Sequence, residues 1–168
     1  MTGVMRARRR RGRGQSLVEF AIVCPIALVV VLGILSGSWL FFQNEAVADG
    51  ARGGSRAAAI ATSLYQQTGG TGPFCESGSP GTVAAAVQRA APQLPVNQGT
   101  LCAPTGNTTH LQQTAAAGKA SVTVDATPSL AAPTAVTVTV AYSAQGLAPP
   151  LTRTFTFTFA STQPILQP

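Results

Sequence analysis

The feature that most constrains this chain is an uninterrupted apolar segment that follows a run of arginines. The 23 residues from Phe20 to Phe42 include no formal charge. As a helix at about 1.5 Å per residue, this segment is about 34 Å long, enough to cross a bilayer core of about 30 Å. Residues 1–14 contain six arginines and no acid. This asymmetry predicts a single membrane helix with a cytoplasmic N-terminus and an exported C-terminal part.

One carboxylate, Glu19, lies at the start of the apolar segment. An ionised group there costs free energy unless it is partnered, which indicates a use for it. The basic stretch, Gly14, four residues, Glu19 and Phe20 resemble the leader of a type IV prepilin. The resemblance implies that a prepilin peptidase cuts between Gly14 and Gln15. It also implies that Glu19 neutralises the new N-terminus or that of a neighbouring chain, in line with the charge of a helix N-terminus.

A narrower resemblance extends further along the chain. Residues 13–21, Pro25, residues 49–52 and residues 56–59 are similar to the TadE-like family of pseudopilins. This resemblance implies a minor subunit in the assembly of a tight-adherence (Flp) pilus, held in the cytoplasmic (inner) membrane or incorporated in the pilus. Its implied partners are the prepilin peptidase, other pilins, the pilus assembly platform and membrane lipid. Glu19, Phe20 and Pro25 are the implied assembly residues, with a local melt or bend of the helix near Cys24.

The rest of the chain offers no sign of catalysis. Beyond residue 14, five basic residues balance five acids, so the net charge of +6 belongs to the leader and a nucleic-acid partner is not expected. The chain has a single histidine, His110, and its cysteine and histidine spacings match no zinc pattern. We therefore expect no enzyme activity, no metal and no cofactor.

The three cysteines divide by compartment. Cys24 lies inside the apolar segment and is expected to be a packing residue. Cys75 and Cys102 lie on the exported side, where a disulfide can form. Two free thiols are the alternative, in an organism or compartment that does not oxidise them.

Glycines mark two possible packing surfaces on the N-terminal helix. Gly33 and Gly37 form a small-xxx-small pattern, which allows close approach of another helix. Gly50, Gly53 and Gly54 lie in a second helical stretch predicted over residues 44–68. Each costs about 1 kcal/mol relative to alanine, so the three indicate a hinge, a surface pressed against another helix, or a frayed linker.

The C-terminal part divides into a loop region and a sheet. Residues 69–119 are predicted to be a loop region with the Cys75 and Cys102 pair and one short helix near 80–91. Within it, residues 97–119 are polar and are expected to be held at Cys102 and otherwise mobile. Residues 120–168 contain three runs in which valine, tyrosine or phenylalanine alternates with threonine, the pattern of half-buried strands. The predicted fold is α+β and membrane-anchored: a transmembrane helix over 15–43 that continues into a small exported domain with a three-stranded antiparallel sheet, as in pilins.

Two other interpretations stay open. Ala46-Val47-Ala48 fits a signal-peptidase site, which would make this a secreted protein that begins at Asp49. Its apolar segment is longer than the core of about 7–15 residues in signal peptides. The other interpretation is a single-pass anchor that displays a binding domain, without processing.

Overall fold

The computed structural model describes residues 12–60, 65–67, 74–76, 82–104, 107–113, 116–145 and 153–165. Within these residues, two helices and six strands follow one another. They are α1 (Gly12–Ile60), β1 (Tyr65–Gln67), β2 (Phe74–Glu76), α2 (Thr82–Ala90), β3 (His110–Gln112), β4 (Ser121–Thr127), β5 (Ala135–Gln145) and β6 (Thr154–Pro164).

Strands β3 to β6 form an antiparallel sheet in sequence order, and β1 and β2 form a separate antiparallel pair. The predicted alternation is confirmed in β4 and β5, where every second residue is buried up to Ala126 and Val140. The register places Val122 opposite Val140 and Val140 opposite Phe159, so the apolar residues of three strands share one face. The β5 and β6 part of this face packs against α1, and the threonines lie on the other face.

The sheet has four strands, and the prediction of three was wrong. Strand β3 was missed because its three residues contain only one apolar side chain, Leu111, and are too short a stretch for an alternating pattern to be recognised. Its pairing partners come from elsewhere in the chain: Leu111 lies opposite Val124, and the Cys102 backbone exchanges two hydrogen bonds with Gln112. Pairing with distant residues therefore makes this segment a strand.

The polar region 97–119 was predicted to be mobile except at Cys102, and several of its described residues are instead tied into the core. Leu101 and Leu111 are fully buried. The buried amide of Gln113 donates to the carbonyl oxygens of Asn97 (2.8 Å) and Gly99 (2.7 Å) and accepts from the N–H of Val122 (3.3 Å). One side chain thus satisfies three backbone groups.

The N-terminal helix ends earlier than predicted. The helix expected to reach residue 68 ends at Ile60, and Tyr65–Gln67 form strand β1 instead. Gln66 of that strand lies opposite Cys75 in β2, and Cys75 is bridged to Cys102. The short pair is therefore held to the rest of the fold through the cysteines. The predicted short helix is present over Thr82–Ala90, and the predicted turn after Ala144 lies largely outside the described residues.

Candidate functional site

The candidate site is helix α1, which has an exposed apolar half and a half that is buried in the domain. At about 1.5 Å per residue its 49 residues are about 73 Å long. It is the one helix in the described ranges that is long and apolar enough to cross a membrane.

The N-terminal turn contains the residues predicted for processing. The Gly14–Gln15 bond lies within the first turn of α1. Gln15 and Glu19 are both exposed and lie one turn apart, and the Gln15 side-chain Nε2 donates to Glu19 Oε1 at 3.2 Å. The carboxylate implied in assembly therefore faces the side chain of the residue that would become the first one after cleavage.

The apolar half of α1 is uncovered. Large side chains from Leu17 to Leu35 are 45–69% exposed, and Phe20 is 68% exposed. Such a contiguous apolar surface marks a site that meets lipid or other protein. Its members are Leu17, Val18, Phe20, Ile22, Val23, Ile26, Leu28, Val29, Val30, Val31, Leu32, Ile34 and Leu35.

Pro25, Gly33 and Gly37 lie within this apolar half. The helix is unbroken at Pro25, so of the local melt or bend predicted near Cys24 the melt is absent in the isolated chain, and the bend stays a prediction. A proline removes one ladder bond, and the flanking turns keep theirs. A Cβ atom added at Gly33 or Gly37 would meet nothing within 4 Å. The predicted packing face is therefore open, and its role stays a prediction.

The second half of α1 is part of the core of the domain. Buried residues recur along it at three- and four-residue steps, from Gln43 through Val47 and Ala51 to Ala58. The glycine group lies against α2 and the sheet: a Cβ atom on Gly54 would come within 2.7 Å of Val87 Cγ2 and 3.1 Å of Val138 Cγ1. Of the three predicted roles for these glycines, the structure shows the surface pressed against another helix.

Polar contacts also join α1 to strand β6. The Ser55 and Ser161 hydroxyl oxygens lie 2.9 Å apart. The Arg52 guanidinium lies 5.3 Å from the centre of the Phe159 ring and donates to Asp49 Oδ1 at 3.0 Å. These contacts link the buried half of α1 to the last strand. Because the apolar half belongs to the same helix, it is connected to the sheet through them.

Cys75 and Cys102 form a disulfide with an S–S distance of 2.06 Å, and Cys24 is free and half-buried. The pair joins β2 to the segment that leads into β3. Both sulfurs are in the bond, so neither is a free thiol.

Two polar features had no signal in the sequence. His110 Nδ1 lies 2.6 Å from Asp125 Oδ1, a cross-strand pair that depends on the register of β3 against β4. Gln43, which is 4% exposed, has a side-chain Oε1 without a hydrogen-bond partner. The described residues include no cluster of three or more His, Cys, Asp or Glu side chains able to hold a metal ion.

Residues 14–56 match the model of a protein family that is described as TadE-like protein. The match begins at Gly14 and ends at Arg56, just after Gly53 and Gly54 of α1. It covers 43 of the 168 residues. Comparison with curated proteins and with solved structures finds no match. A TadE-like assignment suggests involvement in a tight-adherence pilus system and association with its assembly proteins. The match over residues 14–56 supports the predicted TadE-like assignment for this N-terminal part of the chain.

Proposed function

We propose that this chain is a minor, non-enzymatic pilin-like subunit that takes part in assembly of a tight-adherence pilus. A prepilin peptidase removes residues 1–14, and the processed chain stays in the cytoplasmic (inner) membrane with its domain outside. The observation that carries the proposal is that the family match begins at Gly14 and covers the uncovered apolar half of α1, with Glu19 near its start.

The exposed surface of α1 supports a membrane location. If α1 stood in water, its exposed apolar side chains between Leu17 and Leu35 would remain hydrated. Covering them is favourable by about 25 cal/mol for each Å² of apolar surface that is removed from water. Lipid or sibling helices would cover them, and the arginine-rich residues 1–14 would remain on the cytoplasmic side. Within a helix bundle, Glu19 would need a cationic partner such as the N-terminal ammonium of another subunit.

The continuity of α1 supports a mechanical role. The same helix that presents Glu19 enters the core of the domain at Ala46 and Val47, without a described break between them. Docking of the apolar half among other pilin helices would therefore set the position of the sheet. In this account the sheet domain then contacts other minor subunits.

The structure argues against the secreted alternative. Ala46, Val47 and Ala48 lie within α1 and are 1%, 0% and 6% exposed. Cleavage after Ala48 would remove these residues from the core of the domain. The unprocessed anchor remains the second candidate, and it differs in requiring neither the peptidase nor Glu19.

The proposal is tested by comparing Glu19→Ala with Glu45→Ala in cells whose own copy of the chain is deleted. Both carboxylates lie on α1 and are exposed, but Glu45 lies at the outer end. We expect Glu19→Ala to be processed and present in the membrane at normal level, yet to fail in restoring pili, whereas Glu45→Ala restores them. Normal piliation with Glu19→Ala would contradict the assembly mechanism.

A further inference from the structure

The identity of residue 15 has a chemical consequence that rests on the proposed function. If residues 1–14 are removed, Gln15 becomes the N-terminal residue and acquires a free α-amine. A glutamine at a chain terminus carries that amine and its own side-chain amide at a spacing that closes a five-membered ring. The Gln15 side chain is exposed, and its Nε2 already lies 3.2 Å from Glu19 Oε1.

We propose that processed Gln15 cyclises to pyroglutamate and that Glu19 assists this step. The lone pair of the α-amine attacks the side-chain carbonyl carbon Cδ, which forms a C–N bond. The bond between Cδ and Nε2 then breaks, and Nε2 leaves as ammonia with one proton from the attacking amine. No electrons are gained or lost overall, and no other reactant is consumed.

The hydrogen bond between Gln15 and Glu19 places a proton-transfer group at the leaving nitrogen. A carboxylate within 3.2 Å of Nε2 can accept the proton that the amine releases and return it to the departing nitrogen. The two residues lie four apart on α1, so the helix itself keeps them adjacent. Glu19 would thus act first on its own chain, before assembly.

Cyclisation changes which charges the subunit offers. A pyroglutamate is a neutral lactam, so the processed chain would have no terminal ammonium to desolvate in a membrane or helix bundle. Glu19 would then have no cation at its own N-terminus. The subunit would offer a carboxylate to a neighbour's ammonium without offering an ammonium in return.

The test is the mass of the N-terminal peptide of the processed chain from its own membranes. We expect a peptide that begins at residue 15 and is lighter than the unmodified sequence by one ammonia. A peptide that begins at Gln15 with its full mass, or with one added methyl group, overturns the cyclisation and leaves the proposed processing intact. A chain that is not cut after Gly14 overturns the proposed function itself. A Gln15→Ala chain, cut at the same bond, should show no loss of mass.

The role of Glu19 is tested by a time course that starts from freshly cut full-length chain in detergent. The fraction of N-terminal peptide that has lost ammonia is followed for the native chain, Glu19→Gln and Glu45→Gln. We expect Glu19→Gln to cyclise at least about tenfold more slowly, since general acid–base assistance contributes about 10² or more, and Glu45→Gln to match the native rate. Equal rates for all three chains would overturn the assistance by Glu19.

Discussion

Gly53 on α1 and Ala90 on α2 approach so closely that a Cβ atom at position 53 would overlap the Cβ atom of Ala90. The two helices therefore meet through backbone at this point. A glycine inside a helix costs about 1 kcal/mol relative to alanine, and here the close approach of α2 explains its presence. The buried half of α1 is thus a packed surface of the domain.

Gly53→Ala should destabilise the protein. The added methyl group has to displace Ala90, at a typical overpacking cost of about 1–3 kcal/mol, less the gain in helix propensity of about 1 kcal/mol. We expect a net loss of up to about 2 kcal/mol in the free energy of unfolding, measured by thermal unfolding of the purified chain in detergent.

Two further chains serve as controls for that prediction. Gly37→Ala adds the same methyl group to α1 where nothing lies within 4 Å, and should not destabilise the protein. Combining Gly53→Ala with Ala90→Gly should recover most of the loss, because the clash is removed from the other side. A single Gly53→Ala chain as stable as the native one would show that the helices are not packed this closely.

Removal of the disulfide should weaken the fold. Cys75 and Cys102 are 27 residues apart, and closing a loop of that size contributes about 3.5 kcal/mol in the chain-entropy model. Cys102→Ser should lower the unfolding temperature strongly, and a reductant should lower that of the native chain to a similar degree. Cys24→Ala is the matched control and should leave both the reductant effect and the disulfide intact.

Replacement of Leu111, the central residue of β3, should destabilise the protein. The Leu111 side chain is fully buried in the core, so Leu111→Ala should lower the free energy of unfolding by about 2–5 kcal/mol. Ile60→Ala removes a side chain that is 83% exposed at the end of α1 and should stay within about 0.5 kcal/mol of the native chain. If residues 110–112 were a mobile loop, the two substitutions would have equally small effects on thermal unfolding.

Processing should depend on the size of the residue at position 14. The proposed cut follows Gly14, so Gly14→Ala should be cut in part and Gly14→Trp should accumulate as the uncut chain in membranes. Gly12→Trp places the same bulk two residues earlier and should be cut. The ratio of cut to uncut chain on a gel or by intact mass measures this effect, and normal cutting of Gly14→Trp would place the processing site elsewhere.

The sequence predicted the elements whose own pattern is strong. The uncharged run Phe20–Phe42 predicts a helix from its length and composition, and the alternation in Val136–Tyr142 and Phe155–Phe159 predicts strands from a period of two. The family assignment likewise came from residues that lie close together in the chain, Gly14, Glu19 and Phe20. In each case a short window contains all the information needed.

The features that were missed depend on distant residues. His110–Gln112 becomes a strand because Val124 and Cys102 lie beside it. Strand β1, which follows α1 in the chain, pairs with β2, the strand that contains Cys75. The Ser55–Ser161 contact joins residues 106 positions apart. None of these pairings has a local signature, so only the folded chain reveals them.

The measurement that tests the central claim most directly is the mass of the N-terminal peptide, taken from cells with and without the prepilin peptidase. We predict a chain that begins at Gln15 only when the peptidase is present, and a chain that retains residues 1–14 when it is absent. A terminus at Asp49, a terminus at Gln15 that persists without the peptidase, or an uncut chain in both strains would contradict it.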